Sequence, residues 1–189
     1  DGEEIAIPFS GGHLIISKGE GSQTHFFTHL EDYEEMAFLL HFLRDNDHFI
    51  DVGANIGAYS ILAASQIGCK TISFEPSEKN YSILMSNLHL NNLQDIIGTH
   101  NFALGEKNET KMVGTKGALT YITNNQNLNL QKISIQKLDD FIEYGQLIKI
   151  DVEGFEEFVL KGAKQVLSHA DTHAVIIELA GYNRYNSSD

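Results

Sequence analysis

The stretch that decides the fold is Phe49-Ile50-Asp51-Val52-Gly53-Ala54-Asn55-Ile56-Gly57-Ala58-Tyr59-Ser60. Phe49, Ile50 and Val52 favour a strand, Gly53 permits a sharp turn with its backbone close to a ligand, and Gly57 lets the following helix pack closely on a sheet. Strand, glycine turn and helix in that order make a nucleotide site. The start of the helix should direct unpaired N–H groups and a partial positive charge at whatever lies beyond the strand end.

Two cofactor classes use such a turn, and residue types separate them. Aligned on Gly53, the dinucleotide pattern G-x-G-x-x-G needs glycine where this chain has Asn55. A side chain there obstructs the approach of the backbone to a pyrophosphate, so Asn55 disfavours NAD and FAD, and with them a dehydrogenase. The pattern D-x-G-x-N-x-G, with Asp51 ending the strand, suits a compact cofactor without phosphate. Its charged end would be an ammonium, a carboxylate and a sulfonium, which is S-adenosylmethionine. Thr71-Ile72-Ser73-Phe74-Glu75 reads as the next strand, and Glu75 lies 24 positions after Asp51. That is close to the spacing at which an acid grips ribose hydroxyls, and one carboxylate accepts both hydroxyl protons.

The chain resembles the FkbM family of S-adenosylmethionine-dependent methyltransferases. The resemblance rests on FIDVGANIGAYS, ISFEPSEKNYSILMSNLHLNN, NFALGE, KLDD, LIKIDVEGFEEFVLKGA and VIIEL, which together cover roughly residues 33 to 180. LIKIDVEGFE is the most specific, since methyltransferases in general share the first turn but not this string. The resemblance implies a Rossmann-like class I methyltransferase fold, α/β, with a mostly parallel twisted sheet and helices on both faces. It also implies methylation of a hydroxyl, often on a sugar, glycolipid or polyketide.

The chain has 189 residues, enough for a single domain over 1–189 with a sizeable core. A formal charge of −13 argues against nucleic acid and against an anionic membrane surface. Cys69 is the only cysteine, which excludes an intramolecular disulfide and a thiolate metal cluster. No apolar run reaches the ~20 residues of a membrane span and no signal peptide is visible, so a cytoplasmic protein is expected. The sequons at Asn80, Asn108 and Asn186 are short enough to be chance matches. Composition does not address the oligomeric state.

In chain order, residues 4 to 17 alternate around Ser10-Gly11-Gly12, which predicts a hairpin within an N-terminal extension, 1–30. Met36, Leu39, Leu40 and Leu43 predict a helix from Asp32, with Asp32 and Glu35 as a capping box. Tyr33 and Glu34 could close over a cofactor, although a solvated first turn accounts for them as well. Helices should follow over Ile56 to Gln66, stopped by Gly68, and from Ser77, with a core stripe of Tyr81, Leu84, Met85 and Leu88, stopped by Asn91-Asn92. A strand from Ile96 should end at Asn101-Phe102-Ala103. There the fold places the adenine edge, read by the Asn101 amide or by backbone N–H groups such as that of Ala103; Asn101 could equally satisfy the turn.

Residues 104–136 lack a helical period, so an inserted hairpin is expected where a doubly wound fold carries a crossover helix, followed by a short helix at Leu138 to Glu143. Leu147 to Asp151 predicts the fourth strand and Ala174 to Leu179 the fifth, with one helix between them that turns Phe155, Phe158, Val159, Ala163, Val166 and Leu167 inward. The tail from Gly181 is too polar and short for the two further strands that close most methyltransferase sheets. Either the chain is a piece of something longer or other segments finish the sheet.

Open α/β sheets bind ligands at the carboxyl ends of their strands. The expected cofactor residues are therefore Asp51, Gly53, Ala54, Asn55, Gly57, Glu75, Asn101, Ala103 and Asp151. Asp151, Glu153 and Glu178 are the candidates for catalysis; Asp151 would hold the cofactor ammonium, with Glu153 or Glu178 nearer a hydroxyl acceptor on a small molecule or glycan. His25 and His29 have a ligand-like spacing, and Asp151 with Glu153 could contribute to a Mg²⁺ site, but neither assembles enough ligands and no metal is expected. A nucleotide-binding scaffold without chemistry is the alternative function.

Overall fold

A computed structural model describes residues 4–10, 12–17, 32–116, 119–122 and 130–179. His25, His29, the run Asn124 to Asn129 and the tail from Gly181 lie outside the described residues. In chain order the elements are β1 (Glu4–Phe9), β2 (Gly12–Ser17), α1 (Tyr33–Phe42), β3 (His48–Val52), α2 (Ala58–Ile67), β4 (Lys70–Phe74), α3 (Glu78–Asn91) and β5 (Ile97–His100). They continue as β6 (Ala103–Leu104), β7 (Glu109–Lys116), β8 (Leu119–Ile122), β9 (Leu130–Gln136), a 3₁₀ turn (Leu138–Asp140), β10 (Leu147–Ile150), α4 (Glu156–Lys161), α5 (Lys164–Ser168) and β11 (Ala174–Ile177).

The central sheet is parallel throughout, in the order β11-β10-β3-β4-β5. The inner strands β3 and β10 are mostly apolar and buried because both faces are covered there. Alternation along each strand then divides the interior in two. Phe49 and Leu147 face Met36 and Leu39 of α1, Ile61 and Leu62 of α2, Leu84 and Leu88 of α3, and the hairpin residues Ile7, Phe9, Leu14 and Ile16. Ile50, Val52, Ile148 and Ile150 face Leu104, Leu138, Val159, Ala163 and Val166.

The hairpin is tied to α3 by two asparagines one helical turn apart. Asn87 accepts from Ile15 N and donates to Ile56 O, and Asn91 accepts from His13 N and donates to His13 O. Two side chains thus treat the edge of β2 as a neighbouring strand would. This gives Asn87, which is fully buried, partners for its amide.

Several sequence expectations shift in detail. Asp32 makes no cap to α1; its Oδ2 accepts from Tyr59 Oη at 3.0 Å, so the carboxylate joins α1 to α2. In α3 the buried stripe is Asn80, Ile83, Leu84, Asn87 and Leu88, while Tyr81 and Met85 stay half-buried. Ser77 does cap that helix, and Asn92 ends it with a left-handed φ of 56°. The helix expected after Gly154 is two, broken at Gly162-Ala163. A Cβ on Gly162 would lie 1.9 Å from the Gly105 carbonyl oxygen, so another segment crosses here. The carboxylate of Asp139 then accepts from Gln165 N and Val166 N and starts the second piece.

Between β5 and β10 the chain builds a second sheet, in the order β6-β9-β7-β8, with β7 and β8 paired as an antiparallel hairpin. A 3₁₀ turn over Leu138–Asp140 replaces the expected short helix. Phe155 packs against Ile133 and Ile135 of this sheet, and its ring stacks on Phe158, so both are packing residues.

Candidate active site

The turn after β3 is consumed by its own neighbours. Gly53 N and Ala54 N both donate to Phe74 O, at 2.9 and 3.0 Å; Asn55 N donates to Glu75 Oε2 at 2.9 Å, and Gly57 N to Ala54 O at 2.8 Å. The sequence predicts unpaired N–H groups here, but these four are spent, three of them on Phe74 and Glu75 where β4 ends beside the turn and the fourth within the turn itself. Gly53 (φ 85°) is glycine for a related reason: a Cβ would sit 1.8 Å from the Asp151 carbonyl oxygen. At Gly57 (φ 93°) an added Cβ would run into the side chain of Leu84 in α3. Asn55 has a left-handed φ of 51°, a conformation asparagine tolerates better than most residues.

Asp51 is 1% exposed. Ser60 Oγ donates to its Oδ2, and since that hydrogen is then committed, Ser73 Oγ donates to Ser60 Oγ at 2.8 Å. Asp51 Oδ1 is buried without a hydrogen-bond partner among the described residues. Burial pushes the Asp51 carboxyl above its ordinary range, opposed by the ammonium of Lys149 and the hydroxyl of Ser60.

Glu75, at the end of β4, is 5% exposed. Each carboxylate oxygen accepts one backbone bond, Oε2 from Asn55 N and Oε1 from Ser77 N at 2.8 Å. Each oxygen keeps capacity for a further donor. Burial lifts this carboxyl to about 7, against the two backbone bonds, which lower it. Asn101 donates its amide to Glu75 O at 2.8 Å, joining the ends of β4 and β5. Ala103 lies in β6, paired with Ile135 and packed against the small sheet.

The turn after β10 is open. Asp151 is half-buried, Glu153 is exposed with a left-handed φ of 53°, and a Cβ on Gly154 (φ 95°) would meet nothing within 4 Å. Gly154 N donates to Glu156 Oε1 at 2.7 Å, which folds the turn back on the start of α4. Glu178 follows β11 and is exposed. Burial raises its pKa, as do the charges of Asp151, Asp32 and Glu153, while Lys149 lowers it. The three acids proposed for catalysis thus share one electrostatic neighbourhood at the carboxyl edge.

One member of that neighbourhood was not anticipated. Lys149 is 3% exposed, its Nζ lies 2.9 Å from Asp151 Oδ2 and 4.5 Å from the centre of the Tyr59 ring, and it stands across from Asp51 in the sheet. The available signal was a lysine inside the otherwise apolar run Leu147-Ile148-Lys149-Ile150. Among the described residues no group of three or more histidine, cysteine or acidic side chains forms a metal site, and no helix is long and apolar enough to cross a membrane.

The methyltransferase FkbM domain matches residues 51–188, which include both turns. The chain belongs to the FkbM methyltransferase family. Comparison with curated proteins gives no match. Among solved structures, the methyltransferase FkbM of Methylobacillus flagellatus is similar at 20% identity, with a TM-score of 0.48 over 81% of this chain and 42% of its own. Trm5b of Pyrococcus abyssi is similar at 13% identity, with a TM-score of 0.51 over 86% of this chain and 37% of its own. Trm5 of Methanocaldococcus jannaschii, solved in complex with adenosine, is similar at 16% identity, with a TM-score of 0.50 over 88% of this chain and 39% of its own. At these identities the likeness is one of fold, a class I methyltransferase sheet. The chain spans less than half the length of each of these three structures.

Proposed function

We propose that this domain binds S-adenosylmethionine across the carboxyl ends of β3, β4 and β10 and serves transfer of its methyl group to a hydroxyl of a sugar, glycolipid or polyketide-like molecule. The observation that carries the reading is Glu75, a buried carboxylate fixed by two backbone bonds at the strand end beside the glycine turn. A ribose offers the two hydroxyl donors such a carboxylate accepts. The adenosine complex of the similar archaeal Trm5 supports the same ligand class.

The residues fit the cofactor better than a dinucleotide. Gly53, Ala54 and Asn55 spend their N–H groups on β4 and Glu75, which leaves none of these three turn donors for a pyrophosphate. The orphaned Oδ1 of Asp51 and the half-buried carboxylate of Asp151 favour a cationic amino-acid end nearby. When bound, S-adenosylmethionine supplies an electrophilic methyl carbon on a sulfonium. Glu75 would hold the ribose, the Asn101 to Ala103 turn would border the adenine, and Asp151 would hold the ammonium. Glu153 or Glu178 would take the acceptor proton. Glu178 suits that role, since its raised pKa lies closer to working pH than that of an ordinary carboxylate. The acids also disfavour an anionic acceptor, which supports a neutral hydroxyl.

The test is thermal. S-adenosylhomocysteine at many times its Kd should raise the melting temperature by mass action, while millimolar NAD should not. The reverse pattern would sink this reading. Binding of S-adenosylhomocysteine with no methylated product from any fractionated extract would favour a silent scaffold.

A further inference from the structure

We propose that Lys149 is a positioning residue of this site, whose ammonium holds the Asp151 carboxylate oriented for the amino-acid end of the cofactor; the inference rests on the cofactor reading above.

Strand β10 is buried at every position, and Leu147, Ile148 and Ile150 around the lysine are apolar. A buried ammonium there is a poor device for stability, because its desolvation offsets much of its attraction to Asp151 and apolar replacements commonly do as well. The lysine is nevertheless surrounded by specific partners. Its Nζ meets Asp151 Oδ2 at 2.9 Å, the Tyr59 ring covers it at 4.5 Å, and the Tyr59 hydroxyl is itself anchored to Asp32 at 3.0 Å. Asp51, its cross-strand neighbour, keeps one carboxylate oxygen unpartnered among the described residues.

This arrangement places one cation behind two carboxylates at adjacent strand ends. Without it, Asp151 Oδ2 would lose its partner at 2.9 Å and the side chain would be free to turn away from a ligand. With Asp151 Oδ2 committed to Lys149, the other oxygen remains to accept from a ligand. The Tyr59 face stabilises the ammonium where water does not reach.

Adenosine separates this role from a merely structural one, because it carries the ribose and base but no amino-acid end. By calorimetry, Lys149→Met should weaken S-adenosylhomocysteine by about tenfold or more, the scale of a charged hydrogen bond, while adenosine stays within about twofold. Lys149→Arg, which keeps the charge, should recover part of the loss. In an Asp151→Asn background, Lys149→Met should cost little more. Should Lys149→Met fail to fold, Lys149→Gln carries the same comparison. Unchanged affinity for S-adenosylhomocysteine, equal losses for both ligands, or an undiminished effect in the Asp151→Asn background would each overturn the proposal. If the wild-type chain bound neither ligand, the cofactor reading itself would fail first.

Discussion

The chain leaves the sheet twice through an Ile-Asp-Val strand end, at Ile50-Asp51-Val52-Gly53 and at Ile150-Asp151-Val152-Glu153-Gly154, and the two turns are built in opposite ways. They are neighbours, since Ile150 pairs with Val52 and Asp151 N donates to Val52 O at 2.9 Å. In the first, the aspartate is buried, the glycine is pressed on the Asp151 carbonyl, and the N–H groups of residues 53, 54, 55 and 57 are spent inside the fold. In the second, the aspartate is half-exposed and a glutamate holds a left-handed backbone beside a glycine with open space around its missing Cβ. The first turn works as a bracket that fixes Glu75. The second is a lip, strained at Glu153 and accessible.

The largest expected effect separates bracket from lip through backbone packing. Gly53→Ala must displace the Asp151 carbonyl as well as adopt a left-handed φ, so it should destabilise the chain by well over about 2 kcal/mol or prevent folding. Gly154→Ala meets no neighbour and should cost only about 1–2 kcal/mol, the price of the left-handed backbone. Urea unfolding of both variants decides the matter. Equal losses would erase the distinction.

A second measurement addresses what the bracket holds. Glu75→Ala should weaken adenosine and S-adenosylhomocysteine alike by about 1.5–3 kcal/mol, as for hydrogen bonds to a charged partner. The carboxyl sits at about 7 in the fold against an ordinary 4.5, so between those pH values the folded chain keeps a proton that the unfolded chain has lost. Glu75 should therefore subtract stability as pH rises from about 4.5 through about 7, while adenosine binding, which needs the ionised form, should strengthen over the upper part of that range. Glu75→Gln should flatten both slopes; if they persist, another group is responsible.

These contrasts explain what could be read from the sequence. The five strands of the sheet, the Gly68 and Asn92 helix ends and the Ser77 cap are local patterns, each carried by residues within a turn or two of one another. That Glu75 and Asp151 stand just past strand ends was legible because each follows an apolar strand pattern. What escaped was set across space. The break at Gly162 is imposed by Gly105, the carboxylate of Asp32 goes to Tyr59 instead of its own helix, and Lys149 gains its partners from β3 and α2 as well as from the turn after its own strand. Hydrophobic period records which face a residue takes but not which charge waits there.

A smaller effect tests the aspartate of the lip. Asp151→Asn keeps size and hydrogen bonding but removes charge, so it should weaken S-adenosylhomocysteine by about tenfold and leave adenosine nearly unchanged. Loss of turnover with affinity intact would make Asp151 a base instead. Normal binding with normal turnover would leave it a purely structural residue.

The smallest effect on stability, and the sharpest on role, belongs to Glu153. Its left-handed backbone costs a non-glycine residue about 1–2 kcal/mol, which Glu153→Gly would relieve. Glycine also frees the unfolded chain, which gives back about 0.4–1 kcal/mol, so the net change in stability should lie within about 1 kcal/mol of zero. Binding of S-adenosylhomocysteine should not change, because no residue proposed to hold the ribose or the ammonium is touched. Methyl transfer should fall if Glu153 takes the acceptor proton, and Glu178→Gln should then leave the pH profile of turnover unshifted. If instead Glu153→Gly turns over normally and Glu178→Gln is the variant that loses activity, the base stands after β11. The strained glutamate would then shape the lip without entering the reaction.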